Sequence, residues 1–316
     1  MTRRELVKSA IRHQPTPRVP YCIDFTCEGW EVLRQAAGGK SQAQFVDNDV
    51  EDIVVPWWSW HNLGDDWRGP DTPASRAGTI GCGGYEGLAD HVKARRDQCG
   101  KYFLVRLYGS HFEKAYSARG FENLMADFAA DPAFVRKLHT TIIEKNLVML
   151  ENFLNLPEID GVLLGSDWGS QLDLLMNPQA WQDIIRPGEQ REYDLVHGYG
   201  KDVWVHSCGN IQRVIPSLVE MGLDVLNPVQ PEAMDIAMLK RTYGGKLAFW
   251  GGISTQKTLP YGTPEEVRTE ARAVRDLMSQ DGGYIFSPAQ SIQGDVPLAN
   301  MLALLEVAKE GKPGGG

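Results

Sequence analysis

Short apolar segments rich in β-branched residues recur along the chain at 21–25, 52–56, 102–108, 161–165, 203–206, 224–226, 246–250 and 284–287. Short runs of this kind, bounded by turn residues, predict strands, labelled β1 to β8 in chain order. Between them apolar residues fall at helical spacing, the mark of a helix with one buried face. The clearest case is 132–155, where Phe134, Leu138, Ile142, Leu147 and Leu150 share a stripe. Pro178 and Pro264 stand at the first turn of helices over 179–197 and 265–279, where a missing N–H is harmless, and Asn177 and Thr263 precede them as caps. A last amphipathic helix covers 297–309. A strand answered by a helix about eight times, without a linker, predicts an α/β fold: a single (β/α)8 TIM barrel with enlarged β2–β3 and β3–β4 connections. The barrel domain is expected over residues 1–310, and the Gly-rich end 311–316 is read as a disordered tail.

A length of 316 residues allows two ordinary domains or one large barrel, so only the pattern decides. Lys and Arg number 32 against 41 Asp and Glu, a net charge of -9 that argues against nucleic acid or an anionic membrane as partner. No apolar run is long enough to cross a bilayer, and the first residues lack the apolar core of a signal peptide. Five cysteines at irregular spacing suit a reducing compartment better than a disulfide framework, so the expected location is cytoplasmic.

A barrel places its chemistry at the C-terminal ends of the strands. Those ends carry Trp57, Trp58 and Trp60, Tyr108 and His111, Asp167, Trp168 and Gln171, His206 and Cys208, Asn227 and Gln230, Trp250, and Gln290. His206 and Cys208 follow Val203-Trp204-Val205 and are two residues apart, so with Trp204 they share one face of the strand. An imidazole and a thiol so placed form half of a tetrahedral zinc site. The same pair also fits a buried apolar thiol beside a hydrogen-bonded interior histidine. Asp167 and Gln290 are the further donors offered by other strand ends, and Gln171 shares a face with Asp167 if a helix begins there.

Five segments carry a family resemblance: Ser166-Asp-Trp-Gly-Ser-Gln171, His206-Ser-Cys-Gly-Asn210, 222–231 (GLDVLNPVQP), Phe249-Trp-Gly-Gly-Ile253 and 292–297 (IQGDVP). With the N-terminal 12–20 (RHQPTPRVP), they make the chain resemble the uroporphyrinogen decarboxylase superfamily, in the branch of corrinoid-dependent methyltransferases. The resemblance implies a (β/α)8 barrel, zinc held by His206 and Cys208, and cobalamin carried by a partner corrinoid protein. In that branch a cysteine after the last strand completes the zinc site; here Gln290 stands at about that place. True uroporphyrinogen decarboxylases carry an arginine-rich stretch after the first strand for a polycarboxylate substrate. Residues 26–31 (TCEGWE) contain no arginine, so a polyanion would meet an acidic, aromatic mouth.

The expected function is therefore zinc-assisted methyl transfer between a small methylated substrate and a corrinoid protein, with Asp167, His206 and Cys208 catalytic. Trp57, Tyr108, His111, Trp168, Gln171, Asn227, Gln230, Trp250 and Gln290 are candidates for contacting substrate. Tryptophans gathered at one rim point to a flat ligand such as a methoxylated aromatic. The alternatives are a carboxy-lyase for a smaller carboxylate, or a non-catalytic module that binds a corrinoid or methyl donor.

Overall fold

Seven strands form one sheet whose order follows the chain: β2 (Val50–Ile53), β3 (Tyr102–Leu107), β4 (Gly161–Gly165), β5 (Asp202–His206), β6 (Val225–Asn227), β7 (Ala248–Ile253) and β8 (Tyr284–Pro288). The pairs β3–β4, β4–β5, β6–β7 and β7–β8 are parallel. The computed structural model describes residues 1–56, 59–60, 77–78, 85–107 and 109–311. In β4 and β5, Val162, Leu163, Leu164, Val203, Trp204 and Val205 are all buried, so side chains of both orientations are covered, as parallel strands with helices behind them require. Trp204 is interior, as its place in β5 predicts.

The eighth expected strand, β1, is realised differently. Tyr21 and Phe25 make isolated parallel bridges to Phe286 and Ile292 instead of a continuous ladder. On the other side, the Asp49 carboxylate accepts from Tyr21 N at 3.0 Å, and the Asn48 amide takes both Ile23 N and Ile23 O. Side chains thus satisfy backbone groups that a neighbouring strand would otherwise take.

Two compact units divide the chain, one made of 1–51, 100–102 and 224–316, the other of 52–99 and 103–223. In the second unit the β3–β4 connection is enlarged as expected, holding the helices His111–Arg119, Phe121–Ala130 and Pro132–Leu154. Asp131 caps the last of these through Phe134 N, with Pro132 in its first turn. The helix expected at 179–197 is broken by a π-helical turn, Trp181–Ile185, before Arg186–Gly198. Pro187 has no N–H to give to Asp183 O, and Arg136 Nη1 donates to that carbonyl instead, at 2.7 Å. In the first unit Thr263 and Glu266 form a reciprocal capping box on Pro264–Met278.

Asp160, fully buried ahead of β4, fixes the base of this sheet segment. Its carboxylate accepts from Arg96 Nη2 at 2.7 Å and Phe103 N at 3.0 Å, and the Arg96 guanidinium lies 3.8 Å from the centre of the Phe103 ring. Arg96 is partly exposed and keeps the Glu158 carbonyl, but the buried Phe103 N loses its acceptor, so Asp160→Ala is expected to cost about 1–3 kcal/mol. Urea unfolding checks this, and a midpoint equal to the parent's would show the pair to be dispensable.

Candidate metal centre

The turns that follow β4 and β5 interlock. Gly165 lies opposite His206 in the ladder, Ser166 N donates to His206 O at 3.1 Å, and Asn210 N donates to Ser170 O at 2.7 Å. The approach is close because two glycines face each other: a Cβ on Gly169 would come within 2.7 Å of Cys208 O, and Gly209, at φ +79°, lies against Gly169 and Ser170. Ser207 Oγ accepts from Trp168 N at 3.1 Å. This framework brings Asp167, His206 and Cys208 together, one ligand atom of each within 4.8 Å of the others. Cys208 Sγ is 3.3 Å from His206 Nε2, which is 3.6 Å from Asp167 Oδ1. The same Oδ1 accepts from Cys208 N at 2.8 Å, tying the two turns directly.

These separations fit zinc. Ligand bonds of roughly 2.0–2.3 Å in a tetrahedron put neighbouring ligand atoms roughly 3.5 Å apart, close to both distances here. Thiol, imidazole and carboxylate form a borderline donor set suited to that ion. All three side chains are only partly buried, so a fourth position has access to solvent or substrate.

Glu113, which the sequence reading passed over, supports the group from the first turns of the His111–Arg119 helix. Its Oε1 accepts from Asp167 N at 3.1 Å, and its carboxyl is pushed up to about 7, first by burial and then by the Asp167 charge. The available signal was an acidic residue in the first turn of a helix that directly follows a strand end. A raised carboxyl pKa means that the folded metal-free protein keeps a proton which the unfolded chain releases near the ordinary value of 4.5. That contribution to stability is fully present below 4.5 and is lost as pH rises through about 7. Glu113→Gln has no such proton to lose, so between pH of about 5 and about 8 its stability should gain roughly 3 kcal/mol relative to the parent. Urea unfolding across that range checks it, and parallel profiles would contradict it.

His111 is buried against Glu189, away from the rim where it was expected. Trp168 lies at a strand end but is fully buried, edge to face with Trp181 at 5.4 Å, so it is not the rim residue expected. Trp250 is likewise buried, its Nε1 donating to Cys22 O at 3.0 Å. Trp168 follows the end of β4 as read, whereas Trp250 is the third residue of β7 and not at its end; both side chains turn into the core. Gln171 is exposed on a bend where no helix begins. Asn227 and Gln230 are buried, with Asn227 Nδ2 donating to Trp250 O at 2.9 Å, and Gln290 is partly buried just after β8. Trp57, Trp58 and Tyr108 lie outside the described residues, as does the side chain of Trp60.

The profile of the family described as uroporphyrinogen decarboxylase (URO-D) matches residues 89–311, well over half of the chain. The chain belongs to the uroporphyrinogen decarboxylase family. The URO-D fold is a (β/α)8 barrel, in agreement with the sheet found here. A methyltransferase from Methanosarcina mazei is similar in fold to this URO-D chain, with a TM-score of 0.70 at 14% identity, covering 98% of this chain and 99% of that one. Fainter likenesses run to a 3-keto-D-glucoside 4-epimerase from E. coli (TM-score 0.41, 10% identity, 70% of this chain and 94% of that one). A D-psicose 3-epimerase is comparable (TM-score 0.45, 12% identity, 85% and 89%). No curated protein matches the sequence. Among the described residues no helix is long and apolar enough to cross a membrane.

Proposed function

We propose that this URO-D family member is a zinc-assisted methyltransferase that moves a methyl group between a small methylated substrate and a corrinoid protein. The observation that carries the reading is the Asp167, His206 and Cys208 group, with its zinc-compatible spacing at the ends of two adjacent strands. The whole-length likeness of fold to a methyltransferase supports it. Zinc held by these three residues would supply Lewis acidity to the heteroatom from which the methyl group leaves, and would keep a thiol bound there as thiolate. His206 and Cys208 define one edge of the reaction space, and Asp167 sets the spacing of the two turns through Cys208 N. Glu113 Oε1 accepts from Asp167 N and so holds the backbone of that residue in place. The methoxylated-aromatic reading loses Trp168 and Trp250, both buried, so the substrate is proposed only as a small methylated compound.

Mixing the protein with a reduced corrinoid protein and a panel of methyl ethers, thiols and amines tests the reading through the Co(I) to methyl-Co(III) absorption change. The change should occur with at least one methyl donor and should require zinc. Carboxylate substrates releasing CO2 while no donor methylates cobalt would replace the methyltransferase by the carboxy-lyase.

A further inference from the structure

The second unit contains another group of metal-capable side chains, separate from Asp167, His206 and Cys208. His111, Glu189 and Glu192 are buried, and one ligand atom of each lies within 4.8 Å of the others. Glu189 and Glu192 sit three apart on one face of the Arg186–Gly198 helix, and His111 opens the His111–Arg119 helix. His139 and Asn146, on Pro132–Leu154, belong to the same buried group: the His139 ring is 5.6 Å from that of His111, and Asn146 Nδ2 donates to Glu192 Oε1 at 2.7 Å.

The buried Tyr193 hydroxyl, facing Glu189, is a donor in this group, but lone pairs outnumber donors. Glu189 Oε2, His111 Nδ1, His139 Nε2 and Asn146 Oδ1 are all buried without a hydrogen-bond partner among the described residues. Two of these assignments follow from the neighbours. His139 Nδ1 lies 2.8 Å from the Val135 carbonyl, which only accepts, so Nδ1 carries the hydrogen of a neutral ring and Nε2 presents a bare lone pair. Asn146 has turned its amino group to Glu192, which leaves its oxygen as an acceptor. A single water has two hydrogens for these acceptors, whereas a cation attracts all of them. The charges point the same way: of the two carboxylates Glu192 faces Lys114, which also faces Glu113 and whose Nζ donates to Gly109 O at 3.0 Å, while Ser110 Oγ gives Glu192 Oε2 only a neutral hydrogen bond at 2.9 Å. With both carboxylates ionised, one negative charge is left unmatched in a dry interior, where it is costly.

We propose that His111, Glu189 and Glu192 form a buried divalent-cation site, distinct from the candidate zinc centre. Its nitrogen and oxygen donors, without a thiol, suit Zn²⁺, Mn²⁺ or Fe²⁺ and not a soft ion such as Cu(I). His111 Nε2 and Glu189 Oε1 lie 2.5 Å apart with a hydrogen between them. The cation takes the place of that hydrogen bond, with the imidazole hydrogen moving to Nδ1, so the ring stays neutral and both carboxylates stay ionised.

The test uses full-length protein carrying His206→Ala and Cys208→Ala, which disables the first site, so its outcome is independent of the proposed activity. Titration with Co²⁺, followed by absorption and by calorimetry, should show about one equivalent bound. Adding Glu189→Gln, or His111→Gln if the former does not fold, should abolish it, with circular dichroism confirming the fold. No Co²⁺ bound in the double variant, or binding that survives both further substitutions, would overturn the proposal and leave a metal-free ion-pair network.

Discussion

A Cys208→Ala protein should lose zinc binding and methyl transfer together, while its zinc-free form keeps the thermal stability of the zinc-free parent. The thiolate is the strongest donor in the set, and its loss leaves one imidazole and one carboxylate to hold a dication. The remaining pair should bind zinc at least about 100-fold more weakly, going by the 10–100-fold cost of losing even an outer partner of a metal ligand. The fold does not depend on this side chain. Cys208 is partly exposed, and the bond that ties its turn to Asp167 comes from its backbone N, which alanine keeps. The stability change should stay within about 1 kcal/mol, the range of surface substitutions. Metal analysis after dialysis, the corrinoid assay and a thermal melt read the three quantities. Full zinc retention in the variant would remove Cys208 from the site.

Gly251→Ala should have the largest effect on stability in the first unit. The residue lies at φ +129°, which L side chains rarely adopt, and its Cβ would fall 1.7 Å from the Pro228 carbonyl oxygen. That oxygen cannot easily retreat, because it accepts from Gly252 N at 3.1 Å. Gly251 is itself held, its carbonyl accepting from the buried Tyr284 hydroxyl at 2.7 Å. Strain of this kind falls in the exceptional class above about 4 kcal/mol. Against a total of about 5–15 kcal/mol, little soluble folded protein should remain. Soluble yield and the urea midpoint decide the matter. A variant that unfolds at the parent's midpoint would show that β7 shifts freely.

Much of this was legible in the chain because it depends on period and spacing. Short apolar runs bounded by turn residues placed β4 and β5, and the interval between His206 and Cys208 put both on one strand face. Asp167 followed from the rule that barrel chemistry sits at strand ends. Side-chain direction beyond a strand end was not legible. Trp168 sits just past β4 as expected and Trp250 lies inside β7, three residues short of its end, and packing against Trp181 and a hydrogen bond to Cys22 O turn their rings inward. Glu113 was passed over because its role depends on two distant segments meeting, the helix start after β3 and the turn after β4. β1 was overestimated as a strand because nothing in its own residues shows that the Asn48 and Asp49 side chains take its backbone groups.

The turns that carry the candidate metal ligands are joined largely through main-chain atoms: Ser166 N to His206 O, Asn210 N to Ser170 O, and glycine facing glycine at Gly169 and Gly209. Main-chain contacts persist when neighbouring side chains are exchanged. Mutational drift at exposed positions such as Gln171 and Leu172 can therefore alter what enters the mouth without moving the three ligands. This arrangement separates change at the exposed positions from the upkeep of the geometry of Asp167, His206 and Cys208.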